Sequence, residues 1–148
     1  MMALTIHQPW AWAIAAGHKR VENRNWTRRY RGPLAIHASV RWDADGEHVV
    51  PGLVLPPKWW TEPGVLPRGA FVAVAELVDV CAETVNTMRR APLGEVWCGC
   101  GPWAVPGLYH WKLTGVRALD APVPCRGAQG LWSVPDEVRR LLAVEPAP

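Results

Sequence analysis

Lys19, Glu22 and Arg24 stand at spacings of three and two inside the stretch Gly17 to Gly32, GHKRVENRNWTRRYRG. An amine there can neutralise a phosphate, or act as base or nucleophile once desolvation lowers its pKa. A carboxylate can orient that amine or accept from a nucleobase amino group, and a guanidinium suits bidentate binding of phosphate or guanine. The stretch holds six of the sixteen Lys and Arg residues and one acid, a local balance of +5. The remaining ten bases face twelve acids, so the overall +3 conceals a concentrated cationic segment in a slightly acidic chain. Trp26 and Tyr30 are interleaved among Arg28, Arg29 and Arg31. Bases beside flat rings are what a nucleic-acid or nucleotide site needs. Trp26 is the preferred stacking residue. Arg28, Arg29 and Arg31, with Arg20 nearby, read as a rim that fixes a backbone without selecting sequence, or as a solvated turn.

A second acid stands out at Glu76. Ala70 to Val80, AFVAVAELVDV, is the clearest strand in the chain, and alternation puts Val72, Val74, Val78 and Val80 on one face with Glu76 among them. An unpaired buried carboxylate is too expensive to keep, so Glu76 is neutral, reaches solvent or meets a cation. Two readings fit: a structural ion pair or water-filled mouth, and a pocket acid tuned by its surroundings.

The elements that must position these groups are short. Ala3 to Ile6 reads as a strand, Pro9 starts a helix with Trp10, Ala13 and Ile14 on its buried stripe, and Gly17 ends it. Val21 to Asn25 and Leu34 to Ala38 read as strands, and His37 and Ser39 project from the same face of the latter. Residues 41–69 read as loop, broken by Pro51, Pro56, Pro57, Pro63 and Pro67, with Trp59 and Trp60 as a lid. Glu95 to Pro106 is a Gly/Pro/Trp loop. Leu108 to Leu113 resumes alternation, with Tyr109, Trp111 and Leu113 together and His110 and Lys112 opposite, and Val116 to Leu119 extends or follows that strand. In Pro122 to Trp132, Gly127 and Gly130 allow close backbone approach. Ser133 opens an S-x-x-D start to a last helix carrying Val138, Leu141 and Leu142.

At 148 residues the chain fits one domain, and its thirteen Gly and fifteen Pro suit short strands and turns over a helical bundle. Most of the ten Trp are expected as core fillers. Cys81, Cys98, Cys100 and Cys125 read as reduced thiols, and no metal is expected: one residue between Cys98 and Cys100 is shorter than the usual finger spacing. Without a secretory signature or an apolar run near membrane-span length, a cytoplasmic protein with no membrane association is expected.

The stretch LTIHQPWAWAIAAGHKRVENRNWTRRYRGPLAIHAS resembles the opening of an ASCH domain, the module named for activating signal cointegrator homology. Gly17, Lys19, Glu22 and Arg24 meet its GxKxxExR signature. Supporting matches are Gln8, Pro9 and Trp10, the YRGPL turn with the IHAS strand, the AVAELVDV and HWKL strands, and the closing RGAQGLW. The resemblance covers nearly the whole chain. It implies a single ASCH domain over 1–148, mainly β with a few helices, as a small PUA-like β-barrel. It further implies a cleft beside the signature for RNA, DNA or a modified nucleoside, with Lys19 and Glu22 in it and Glu76 as a neighbour of Lys19.

The expected function is binding of nucleic acid, RNA or single-stranded, through Lys19, Arg20, Arg24, Trp26, Arg28, Arg29, Arg31, His37 and Ser39. Gln8, Trp10, Gln129, Gly130 and Trp132 are expected to line the cleft. The alternative is a hydrolase of a modified nucleoside or RNA with Lys19, Glu22 and Glu76 as catalytic groups. One branch of the family resembles N4-acetylcytidine amidohydrolases that use a Lys, a Thr and a Glu; here Glu22 occupies the Thr position. A third reading is a protein-interaction module with Trp-rich loops. No cofactor is expected.

Overall fold

The structure, a computed structural model, describes residues 1–44, 65–85 and 98–142. Trp59, Trp60 and the first residues of the loop that begins at Glu95 lie outside the described residues.

Among the described residues, short apolar runs broken by turns give six strands and two helices: β1 (Met2–Gln8), α1 (Trp10–Ala15), β2 (Val21–Arg24), β3 (Gly32–Trp42), β4 (Ala70–Cys81), β5 (Tyr109–Pro124), β6 (Leu131–Ser133) and α2 (Asp136–Leu142). A further helical turn covers residues 83–85. The strands form one sheet in the order β2-β5-β4-β3-β1-β6. β1 runs parallel to β3, and the other neighbours are antiparallel. The edge strands β2 and β6, four and three residues long, do not pair with each other. The sheet is therefore open where a closed barrel is expected, because closure needs a continuous ladder around the circumference.

Alternation along β3 buries both faces of the sheet. Leu34, Ile36 and Ala38 join Leu4, Ile6, Ile14, Trp111 and Leu113 in a core under α1. Ala35 faces the other way, into a cluster with Ala3, Phe71, Val134, Val138 and Leu142 under α2. Each fully buried aliphatic side chain contributes about 1.5–3 kcal/mol relative to exposure. Helix α2 carries acids in its first turn and bases in its last, matching its dipole, and Arg117 Nη2 donates to the Leu142 carbonyl at 2.7 Å. The helix begins at Asp136, while Ser133 ends β6, so the expected serine cap does not form.

The parity of β4 differs from the expected one. Val72, Ala73, Ala75 and Leu77 enter the core, Val74 and Val80 are half-buried, and Glu76 and Val78 are exposed. The valine pattern suggested the opposite face, but small Ala side chains are what fits beneath α1. Register breaks between Phe71 and Ala73, Val74 and Glu76, and Leu77 and Asp79 shift the alternation further. Of the two expectations for Val116–Leu119, extension of the preceding strand holds: β5 runs without interruption from Tyr109 to Pro124.

Candidate functional site

The exit of α1 places Lys19. Gly17 adopts φ +78°, His18 N–H donates to Ala13 O at 2.9 Å and Gly17 N–H to Ile14 O at 2.8 Å. This pair of bonds is a Schellman ending, and the glycine supplies the left-handed residue it requires. The chain then turns back beneath the helix, and Lys19 is only 3% exposed. Its Nζ donates at 2.5 Å to both Glu22 Oε2 and Val21 O.

Strand β2 carries the other two signature groups. Glu22 is buried, and its second oxygen, Oε1, lies 3.2 Å from Arg24 Nη2, which also donates to Thr5 O at 2.9 Å. Arg24 Nε is buried without a hydrogen-bond partner, so one donor of the fork is unspent. Burial is the largest influence on Lys19 and pushes its pKa below the usual lysine value. The charge and hydrogen bond of Glu22 pull it upward, and Arg24 lowers it further. Such an ion pair gives little net stability because desolvation offsets the attraction. A Lys-Glu-Arg cluster kept under those terms is a candidate functional site.

The relay forms one side of a cavity of about 340 Å³. Trp10, Asp43, Asn23 and Trp103 complete its wall. Trp10 Nε1 donates to Asp43 Oδ2 at 2.8 Å, and its ring meets Trp103 edge-on with centroids 6.0 Å apart. A second cavity, of about 620 Å³, adjoins the first through shared residues Thr5, His7 and Arg24. Among the described residues its lining includes three guanidiniums, Arg24, Arg41 and Arg126, and no carboxylate.

His37 and Ser39 line this second space together, as their common parity requires. His37 is 2% exposed; its Nε2 faces Cys125 O at 2.9 Å and its Nδ1 has no partner. Burial lowers its pKa, against a smaller upward pull from the Cys125 carbonyl. The loop before β6 can pass because residue 127 is glycine: a Cβ there would stand 2.6 Å from His37 Cε1 and 2.8 Å from Nδ1. Gln129 and Gly130 lie on the same wall, and Trp26 is on the rim with the Arg28 guanidinium 5.2 Å from its centroid.

Several expected site residues lie elsewhere. Glu76 is exposed, opposite Pro33 and Thr114, and lines neither cavity; the carboxylate that reaches Lys19 is Glu22. Gln8 is fully buried as a strap, donating to Pro67 O at 2.8 Å and accepting from Trp12 N–H at 2.9 Å. Trp132 packs with Phe71 and His37 and donates to Thr5 Oγ1 at 3.2 Å, supporting the floor from behind. Arg20, Arg28, Arg29 and Arg31 are exposed and line neither cavity. Arg31 bonds the carbonyls of Arg28 and Tyr30 and lies 3.7 Å from Asp79.

Sequence reasoning missed Arg41, Arg126, Asp43 and Trp103. Arg41 had a signal, since it continues the 37, 39 parity of β3. Arg126 and Trp103 sit in loops whose course no periodicity announces. Among the described residues, no helix is long and apolar enough to cross a membrane.

Comparison with known proteins agrees with the architecture and signature. Over 95% of this chain and 92% of the other, the fold is similar to ASCH from Zymomonas mobilis, with TM-score 0.56 and 13% identity. For a mutant of that protein the figures are 97%, 96%, 0.56 and 15%. Activating signal cointegrator 1 of Homo sapiens is 31% identical over 83 residues, 54% of this chain; the match spans only 14% of that protein's length. The ASCH domain family model matches residues 4–120. That match covers most of the chain, and the chain belongs to the ASCH domain family.

Proposed function

We propose that this protein binds single-stranded RNA, taking a base into the smaller cavity and the adjoining phosphates into the larger one. The observation that carries this reading is the position of Arg24, which lines both spaces. A guest crossing from one to the other passes from aromatic walls and a mixed-charge floor to a wall with three guanidiniums and, among the described residues, no acid. The first suits a base: Trp10 and Trp103 offer ring surface, and stacking is worth about 1–3 kcal/mol per base. The second suits an anionic backbone. The cavity volumes fall in the ordinary range for ligand sites.

Affinity for a short single-stranded RNA, followed by fluorescence anisotropy across a salt series, tests the proposal. Three neutralised phosphates give a slope of log K against log salt near −2 for a single strand. A salt-independent affinity, or none for any single strand, contradicts it. Parallel titrations with DNA of the same sequence and with free nucleosides separate polymer from monomer binding.

The burial of Lys19 also favours a second reading, hydrolysis of an acylated nucleoside, because desolvation is how a lysine becomes a base or nucleophile at neutral pH. That route now rests on Lys19 and Glu22, since Glu76 is away from the cavity. Release of acetate from N4-acetylcytidine, abolished by Lys19→Ala, supports it; no turnover across a panel of acylated nucleosides removes it.

A further inference from the structure

Cys81, Cys98, Cys100 and His110 converge at the end of the sheet beside the loop that carries Trp103. One ligand atom from each, three thiol sulfurs and an imidazole nitrogen, lies within 4.8 Å of all the others. The fold brings them together by two routes. Cys81 ends β4 directly opposite His110 on β5 in the antiparallel ladder. Cys98 and Cys100 arrive from the loop before β5, and Cys98 Sγ lies 3.1 Å from His110 Nδ1.

The histidine is already set for coordination. It is fully buried, and its Nε2 lies 2.8 Å from Val105 O, so Nε2 carries the proton and Nδ1 turns its lone pair toward the sulfurs. A backbone carbonyl fixing the tautomer of a ligand histidine is the usual outer support of a metal site. All four cysteines of the chain are free thiols, and three of them are here. Three sulfurs and one nitrogen match a closed tetrahedral zinc site, with edges of about 3.5–3.8 Å following from the usual Zn–S and Zn–N bonds.

We propose that Cys81, Cys98, Cys100 and His110 form a structural zinc site. The short Cys98-Gly99-Cys100 spacing, which argues against a zinc finger in the sequence, is no obstacle here because the other two ligands come from a cross-strand pair. Binding a divalent cation releases three thiol protons to solvent and leaves a net charge of −1 on the centre. The metal closes the long connection between β4 and β5 and holds the segment from Cys98 to His110, whose Pro102, Trp103 and Val105 form a wall of the smaller cavity.

The test uses the full chain, purified under reducing conditions from zinc-supplemented medium. Metal analysis is expected to give one zinc per chain. Replacement by Co²⁺ is expected to give the intense visible bands and thiolate charge transfer of a tetrahedral site. Cys100→Ser loses both, and Cys125→Ser keeps both. Chelation is expected to raise amide exchange across residues 101–108. Failure to take up zinc, a weak octahedral cobalt spectrum, or a disulfide among these cysteines that survives reduction overturns the proposal. Should Cys100→Ser fail to fold, the cobalt spectrum of the unsubstituted protein decides. None of these readouts depends on nucleic-acid binding.

Discussion

Asn23 grips the Trp103 segment with both ends of its amide. Nδ2 donates to Trp103 O at 2.8 Å, and Oδ1 accepts from Val105 N–H at 3.0 Å. A strand that carries two of the relay residues thus also ties down the Trp103 wall of the smaller cavity. Asn23→Ala is expected to cost about 1–2 kcal/mol, from two hydrogen bonds lost, one of them solvent-exposed. Amide exchange should rise selectively in residues 103–105. Uniform loosening of the sheet would mean that Asn23 supports the fold at large and not this wall.

Lys19→Met leaves Glu22 buried with only the longer contact to Arg24, and Glu22→Gln leaves the Lys19 charge with a carbonyl and a neutral amide. Each single change is expected to destabilise by about 3–5 kcal/mol, as removal of one partner from a buried pair does. The double change costs less than the sum, because neither charge is then stranded. A denaturant double-mutant cycle measures this. Additive costs would show that the two groups do not form the coupled pair described above.

Gly127→Ala is expected to destabilise by about 1–3 kcal/mol, the usual cost of forcing extra volume into a filled site. The obstacle is the His37 ring, 2.6 Å from the added carbon, held from its other side by the Cys125 carbonyl. Adding His37→Ala should relieve much of the cost, and thermal melts of the two single variants and the double read it out.

His37 also sets a pH dependence. Its folded-state pKa lies below the ordinary value of about 6.5, because burial disfavours the imidazolium. Above that value both folded and unfolded chains are neutral there, and its stabilising share is complete. As pH falls from about 6.5 toward the depressed folded value, the unfolded chain gains a proton that the native state resists, and stability falls. Denaturation midpoints between neutral and mildly acidic pH should drop more for the natural chain than for His37→Gln. Equal slopes would show that the ring titrates normally.

The sequence made some of this legible and concealed the rest for identifiable reasons. The Gly17 helix exit, the 37, 39 parity and the Lys19, Glu22, Arg24 grouping are local, fixed by backbone chemistry within a few residues. Glu76 misled because valines read as the inward face; three register breaks and the small core-facing alanines put the acid in solvent. The density of charge from Arg28 to Arg31 drew attention to a turn that lines neither cavity, whereas Arg41 and Arg126 lie 85 positions apart and meet only through the fold. Gln8 and Trp132 were close to the site in sequence logic, yet they hold it from behind. The thiol cluster was invisible as spacing because its ligands join across a strand pair.

A nucleic-acid backbone is expected to follow the cavity lined by Arg24, Arg41 and Arg126 and not the arginine turn, which lines neither cavity. Single-stranded RNA affinity of Arg41→Ala/Arg126→Ala, compared with Arg29→Ala/Arg31→Ala, tests it most directly. The first pair should weaken binding at least about tenfold, about 1.4 kcal/mol, and flatten the salt slope by about 1.4 units. The second, acting only through screened long-range charge, should stay within about twofold. A large loss from the turn variant with the cavity variant unchanged would contradict the account.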